Sequence, residues 1–234
     1  MLIGIERRFD IILCVDGSGS MGPCIDKIKE NAKTFYKDLK QRIEDDYGIE
    51  IKEINVKIIV FRDYAEDGKN AMTISRWFNV TSADSDEFKK YVDGITAEGG
   101  GDEPENGLEA LFFAMSSDWK STGDKDRQFI VLLTDADALS LKERSNEANY
   151  PTDMVDDMGL IETWMGECPP FIPKEEFKLK SRTKRLIMFA PQGTVYEKMQ
   201  YSYNRSFFIP MKRDEGLKDI LDEDVTYFMK MALN

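Results

Sequence analysis

The sequence predicts an α/β fold: a doubly wound, mostly parallel sheet with helices on both faces. Three observations predict it. Phe9–Val15, Gln128–Leu133 and Arg185–Ala190 are strongly apolar runs, the pattern of strands covered on both sides. Between such runs, apolar residues recur at helical spacing. Finally, Asp16-Gly17-Ser18-Gly19-Ser20 follows the run Ile11-Ile12-Leu13-Cys14-Val15 and precedes a helical pattern. One carboxylate and two hydroxyls therefore stand at the carboxyl end of a buried strand, where open α/β sheets place their ligands.

The elements follow in order. After strand Phe9–Val15, residues Ile25, Ile28, Ala32, Phe35, Tyr36, Leu39 and Ile43 fall on one helical face, predicting a single helix from Pro23 to Ile43. Pro23 suits its first turn. Ile54–Phe61 alternates as a strand, Ile74–Val80 reads as a short edge strand, and Asp84–Val92 as a brief helix. A Gly-rich loop, Glu98-Gly99-Gly100-Gly101-Asp102-Glu103-Pro104-Glu105, leads into a helix over Asn106–Met115. Strand Gln128–Leu133 ends in Thr134-Asp135-Ala136-Asp137. Helix Met154–Met165, strand Arg185–Ala190, strand Ser206–Ile209 and a C-terminal helix over Leu217–Leu233 complete the pattern. Ser140–Asp153 and Cys168–Pro173 read as loops. Nothing resembles a linker, so a single domain over residues 1–234 is expected.

Composition narrows the function. With 234 residues and 41% apolar content the chain can bury a sizeable core. A formal net charge of -12 leaves no basic surplus for nucleic acid or for an anionic membrane surface. No stretch approaches the roughly 20 apolar residues of a membrane span, and the N-terminal apolar run is too short for a signal peptide. The three cysteines, Cys14, Cys24 and Cys168, then read as reduced thiols, and the expected compartment is cytoplasmic. The chain has no histidine, which removes Ser-His-Asp and Cys-His chemistry and every His-containing zinc site.

Three loops offer hard oxygen donors. The first carries Asp16, Ser18 and Ser20, the second Asp102 behind three glycines, the third Asp135 at a strand end. If the strands are parallel, the first and third loops emerge at one sheet edge. Carboxylate and hydroxyl donors of this kind suit Mg²⁺ or Mn²⁺, with a coordination position left for water or an outside ligand. Asp137 reads as a solvated loop carboxylate.

Rival readings fit less well. Gly17-x-Gly19-x-x-Gly22 after a strand satisfies a dinucleotide fingerprint, but Asp16 would repel the pyrophosphate, and the acidic residue expected about 20 positions on falls inside a helix. Asp135-Ala136-Asp137 resembles part of the aspartate nucleophile motif of haloacid-dehalogenase-like phosphatases, with Leu139 where Thr or Val is usual. An EF-hand fails at Met21 and Lys27. A Gly-Ser turn that caps a helix and binds nothing is the plain alternative.

Together these residues resemble the von Willebrand factor A (VWA) domain with a metal-ion-dependent adhesion site, and in style its intracellular bacterial members. Asp16-Gly17-Ser18-Gly19-Ser20 matches the Asp-x-Ser-x-Ser loop, and Val131-Leu132-Leu133-Thr134-Asp135 the strand ending in the third-loop aspartate. The second loop departs: where many members carry threonine, this chain resembles the Gly-Gly-Gly-Asp-x-Pro-Glu variant, with Asp102 as the ligand or Glu105 in its place. The resemblance implies a Rossmann-like fold and direct metal ligation by Ser18 and Ser20. Asp16 and Asp135 would ligate directly or through water, and a partner-protein carboxylate would take the open position. It implies an interaction module and no enzyme; a Mg²⁺-dependent phosphatase or hydrolase built on the same cluster is the alternative, and an empty scaffold the third.

Overall fold

The computed structural model describes residues 5–32, 34–82, 84–101, 104–211 and 233. The predicted C-terminal helix over Leu217–Leu233 lies outside these residues, apart from Leu233. A seven-stranded sheet organises the rest. Its strands are β1 (Ile5–Asp16), β2 (Ile49–Phe61), β3 (Met72–Ile74), β4 (Phe78–Asn79), β5 (Arg127–Leu133), β6 (Lys184–Pro191) and β7 (Ser206–Met211). The order is β3-β2-β1-β5-β6-β7, with β4 also paired to β2. β2, β1, β5, β6 and β7 are parallel neighbours, whereas β3 and β4 run antiparallel to β2.

Helices cover both faces, as parallel strands require. On one side, Phe9, Ile11, Leu13 and Val15 of β1 pack with α1 (Gly22–Asn31), α2 (Phe35–Tyr47) and α3 (Ser85–Asp93) through Ile25, Ile28, Leu39, Ile43, Phe88 and Val92. On the other, Ile12 and Cys14 pack with α4 (Gly107–Met115), α5 (Asp157–Met165) and α6 (Val195–Ser202) through Leu111, Leu160, Trp164 and Tyr196. Odd and even residues of one strand thus feed two separate cores, the period-2 alternation of a strand.

Three expectations change. The helix drawn over Pro23–Ile43 is two helices, because α1 stops at Asn31 and α2 starts at Phe35. The apolar stripe runs through the interruption, since Ile28, Ala32, Tyr36 and Leu39 all face one core, so periodicity alone does not mark the break. Ile74–Val80 is two short strands separated at Ser75–Trp77, where the Ser75 hydroxyl accepts from Ile58 N at 2.9 Å and donates to Arg76 O at 2.7 Å. Helix α6 is additional; its short amphipathic run follows β6 after only Gln192–Thr194.

The sheet order reverses between β1 and β5, whose connections leave in opposite directions. Such a switch point opens a crevice at the carboxyl ends of the two strands. The register places Val15 beside Leu133, and so Asp16 beside Thr134.

Leu132 lies in the middle of β5 with no exposed surface. Leu132→Ala should therefore cost about 2–5 kcal/mol in urea-induced unfolding. Tyr201→Ala, at a side chain 82% exposed, should change stability by no more than about 0.5 kcal/mol. Equal effects from the two would contradict this assignment of the core.

Candidate metal centre

Asp16 closes β1 and is fully buried. Its Oδ2 accepts from the Thr134 hydroxyl at 2.7 Å, and its Oδ1 accepts from Ser18 N at 2.9 Å, an Asx-type turn that bends the pentad back over the strand end. Ser18 Oγ and Ser20 Oγ are 3.2 Å apart, and the Ser20 hydroxyl donates to Asp135 Oδ1 at 3.1 Å. Four of the sequence-predicted ligands, Asp16, Ser18, Ser20 and Asp135, are thus joined in one hydrogen-bonded chain from two strand ends. Asp102 lies outside the described residues.

The Gly-rich loop folds down onto the pentad. Gly19 N donates to Gly99 O at 3.3 Å. Gly100 has φ +88°, and a Cβ there would stand 2.5 Å from Ser18 Cβ and 2.6 Å from Glu105 Oε1. Only glycine fits between these two side chains, and its conformation also favours glycine. Gly100 N donates to Asp67 Oδ2 at 3.0 Å, which ties the loop to the turn after β2.

Glu105 is brought to the same point by its backbone. Its N–H donates to Asp137 O and its carbonyl accepts from Leu139 N, both at 3.0 Å, so it is stitched to the loop after Asp135. The side chain is 2% exposed and Oε2 has no hydrogen-bond partner. Asp16, Asp63, Asp67 and Asp135 surround it, and burial together with these charges pushes its carboxyl up to about 9. Asp16 is itself pushed up to about 6, mainly by burial and less by Asp135, against the opposing hydrogen bonds from Thr134 and Ser18.

An ion pair to a cation also forms at this acidic pole. Arg144, from the loop beyond β5, grips the buried Asp63 as a fork, with Nε to Oδ1 at 2.9 Å and Nη2 to Oδ2 at 2.7 Å. Behind Glu105, the fully buried Glu109 accepts from the Tyr150 hydroxyl at 2.9 Å through Oε1, while Oε2 has no partner. Burial raises its carboxyl to about 7. Asp137 is not the solvated carboxylate expected: it is half-buried, and its Oδ1 accepts from Val195 N at 2.8 Å, at the N-terminus of α6. Cys24, shortly after the pentad, is buried, with its thiol pushed up mainly by that burial.

The donor set fits a hard divalent cation. Among the described residues no group of three or more carboxylate or cysteine side chains is arranged to hold a metal by itself. The convergent donors are instead mixed, two serine hydroxyls with the carboxylates of Asp16 and Asp135, and Glu105 supplies an oxygen that lacks a partner. Oxygen-only donors with few neutralising cations are the chemistry of Mg²⁺ and Mn²⁺ sites.

Residues 10–158 match the von Willebrand factor type A domain family. The chain belongs to that family. VWA domains are in general protein-interaction and adhesion modules rather than enzymes. No curated protein matches the chain in sequence. Among solved structures it is similar to a von Willebrand factor type A protein from Catenulispora acidiphila, with TM-score 0.53, 13% identity, and 96% of this chain aligned to 42% of that one. It is also similar to the open conformation of the pilus adhesin SpaC from Lactobacillus rhamnosus GG, with TM-score 0.51, 14% identity, and 99% of this chain aligned to 30% of the adhesin. At these identities the likeness is one of fold, and this chain spans less than half the length of either structure. No helix among the described residues is long and apolar enough to cross a membrane.

The buried acids fix the sign of the pH response. Their folded values lie above the ordinary carboxyl values of 3.8 for Asp16 and 4.5 for Glu105 and Glu109, so the folded chain holds protons that the unfolded chain releases. The stability they contribute is complete below those ordinary values. It is lost as pH rises through about 6 for Asp16, about 7 for Glu109 and about 9 for Glu105. The urea midpoint of the metal-free VWA domain should therefore fall from about pH 5 to about pH 9, and Glu105→Gln should flatten the upper part of that fall. A midpoint that climbs over this range would contradict the assignment.

Proposed function

We propose that this VWA domain is a metal-dependent protein-interaction module. Asp16, Ser18, Ser20 and Asp135 would hold Mg²⁺ or Mn²⁺, with Asp102, or Glu105 in its place, contributing from the second loop, and a carboxylate of a partner protein would complete the coordination. The observation that carries this reading is the buried Glu105 carboxylate, whose Oε2 has no partner and whose charged neighbours are Asp16, Asp63, Asp67 and Asp135. Acidic groups crowded in this way are costly to ionise together without a cation.

Each residue would have a separate task. The serine hydroxyls supply neutral donors, Ser20 from the exposed side of the site and Ser18 from its buried side. Asp16 is held from behind by Thr134, which fixes the orientation of its carboxylate in the manner of an outer-shell partner. The bound cation supplies Lewis acidity and charge toward the partner's carboxylate. Glu105 adds negative charge that a neutral threonine in that loop would not, so attraction for an outside carboxylate is weaker than with threonine there. A cytoplasmic setting and a single functional unit over residues 1–234 belong to the same proposal.

Thermal unfolding in a Mg²⁺ or Mn²⁺ series tests the metal. Binding to the folded state alone raises the midpoint as RT ln(1 + [L]/Kd). The wild type should rise by several degrees at saturating metal, and Ser18→Ala/Ser20→Ala should lose that rise. An identical rise in the double variant, or none in the wild type, would defeat the reading. For the partner, recovery of a bound protein should fall sharply in EDTA. Phosphatase turnover with Mg²⁺ that Asp135→Asn abolishes would favour the hydrolase instead.

A further inference from the structure

Arg62 is the first residue beyond β2, and its side chain is buried. Its guanidinium donates to four backbone carbonyls: Nε to Gly17 O at 3.0 Å and to Glu98 O at 2.8 Å, Nη1 to Asn70 O at 3.0 Å, and Nη2 to Thr96 O at 2.7 Å. No carboxylate is among these acceptors. A buried cation is costly unless its donors are met, and here the acceptors belong to three separate segments. Gly17 lies inside the Asp-Gly-Ser-Gly-Ser pentad, Thr96 and Glu98 lead into the Gly-rich loop, and Asn70 precedes β3.

The contact is tight from both sides. A Cβ on Gly17 would stand 2.8 Å from Arg62 Cζ and 2.6 Å from Val60 Cγ1. Glycine at the variable second position of the pentad is thus the form that admits the guanidinium. Gly17 O also accepts from Glu98 N at 3.0 Å, so the two loops are joined directly as well as through Arg62. The next residue, Asp63, holds the loop beyond β5 through Arg144. Two successive side chains at the end of β2 therefore tie down all three loops around the acidic pole.

We infer that Arg62 is a positioning residue for the metal centre: it sets the separation between the hydroxyl-bearing pentad and the loop that carries Gly100 and Glu105. The inference rests on the metal-binding reading above. Lysine cannot reproduce this role, because its compact ammonium lacks the planar fork that reaches carbonyls on several sides at once.

The test is Mn²⁺ binding to the purified chain at 25 °C, followed by the electron paramagnetic resonance signal of free Mn²⁺. Arg62→Lys retains the charge and should bind Mn²⁺ about 10–100-fold more weakly, the usual effect of losing an outer-shell contact. Backbone amide exchange at Gly19 and Glu98 should quicken in the same variant. Gly17→Ala, which pushes on the guanidinium from the opposite side, should weaken Mn²⁺ binding similarly, and combining the two should add little. Leu39→Ala, in the core of α2 away from the site, serves as a destabilised control that keeps wild-type affinity. Should Arg62→Lys fail to fold, Gly17→Ala carries the test. Wild-type Mn²⁺ affinity in the folded Arg62 or Gly17 variant, or equal weakening in Leu39→Ala, overturns the inference. No Mn²⁺ binding by the wild type overturns the metal reading itself, and this inference with it.

Discussion

Asp16 is a carboxylate without contact with water, and the arrangement of the loops follows from how it is held. Its two oxygens are met by the Thr134 hydroxyl and the Ser18 amide. The first bond joins β5 to β1, and the second turns the chain so that Ser18 and Ser20 face the third loop. Among the described residues no arginine or lysine hydrogen-bonds to it, Asp135 adds repulsion, and Asp16 in turn repels charge on Glu105. A site that buries negative charge beside more negative charge is poised for a cation, because the cost of ionisation falls when one binds.

The fold was legible because its cues are local and strong. The apolar runs of β1, β5 and β6 are each decided by which side chains must leave water. Strand β2 is buried without a break from Ile54 to Phe61, Asn55 and Lys57 included, and α4 is buried on nearly every side, so the alternation and the stripe in the sequence understate their burial. The exceptions are equally physical. Ile28, Ala32, Tyr36 and Leu39 keep one face across the break between α1 and α2, so the hydrophobic pattern does not register the interruption. The edge beside β2 splits because Ser75 bonds to both its strand partner and its own neighbour, a side-chain choice that propensity does not encode. Helix α6 is short, and Asp137, a carboxylate from a distant loop, bonds its first amide.

The centre was legible where its residues lie close in sequence. The pentad announces itself, and strand polarity brings Asp135 to it. The deeper elements depend on contacts between distant segments. Thr134 reads as the last residue of a strand until its hydroxyl meets Asp16, 118 residues away. Arg62 and Asp63 look like ordinary charged residues after a strand; their roles appear only when Gly17, Thr96, Glu98 and Arg144 converge on them. Glu105 carried the one usable signal, a glutamate after Pro104 in a Gly-rich loop at the start of a helix. Glu109 carried none, since a single acid in a helical pattern is ordinarily solvent-facing, whereas α4 is buried on nearly every side.

The central claim is that a divalent cation sits between the pentad and the third loop, and a crystal structure of the Mn²⁺-soaked protein with anomalous scattering tests it most directly. The account predicts a manganese peak bounded by Ser18 Oγ, Ser20 Oγ and an oxygen of Asp135, with the direct Ser20–Asp135 hydrogen bond opened and a Glu105 oxygen turned toward the ion. A map with no peak at that position, at a Mn²⁺ concentration that saturates any binding seen in solution, would contradict it.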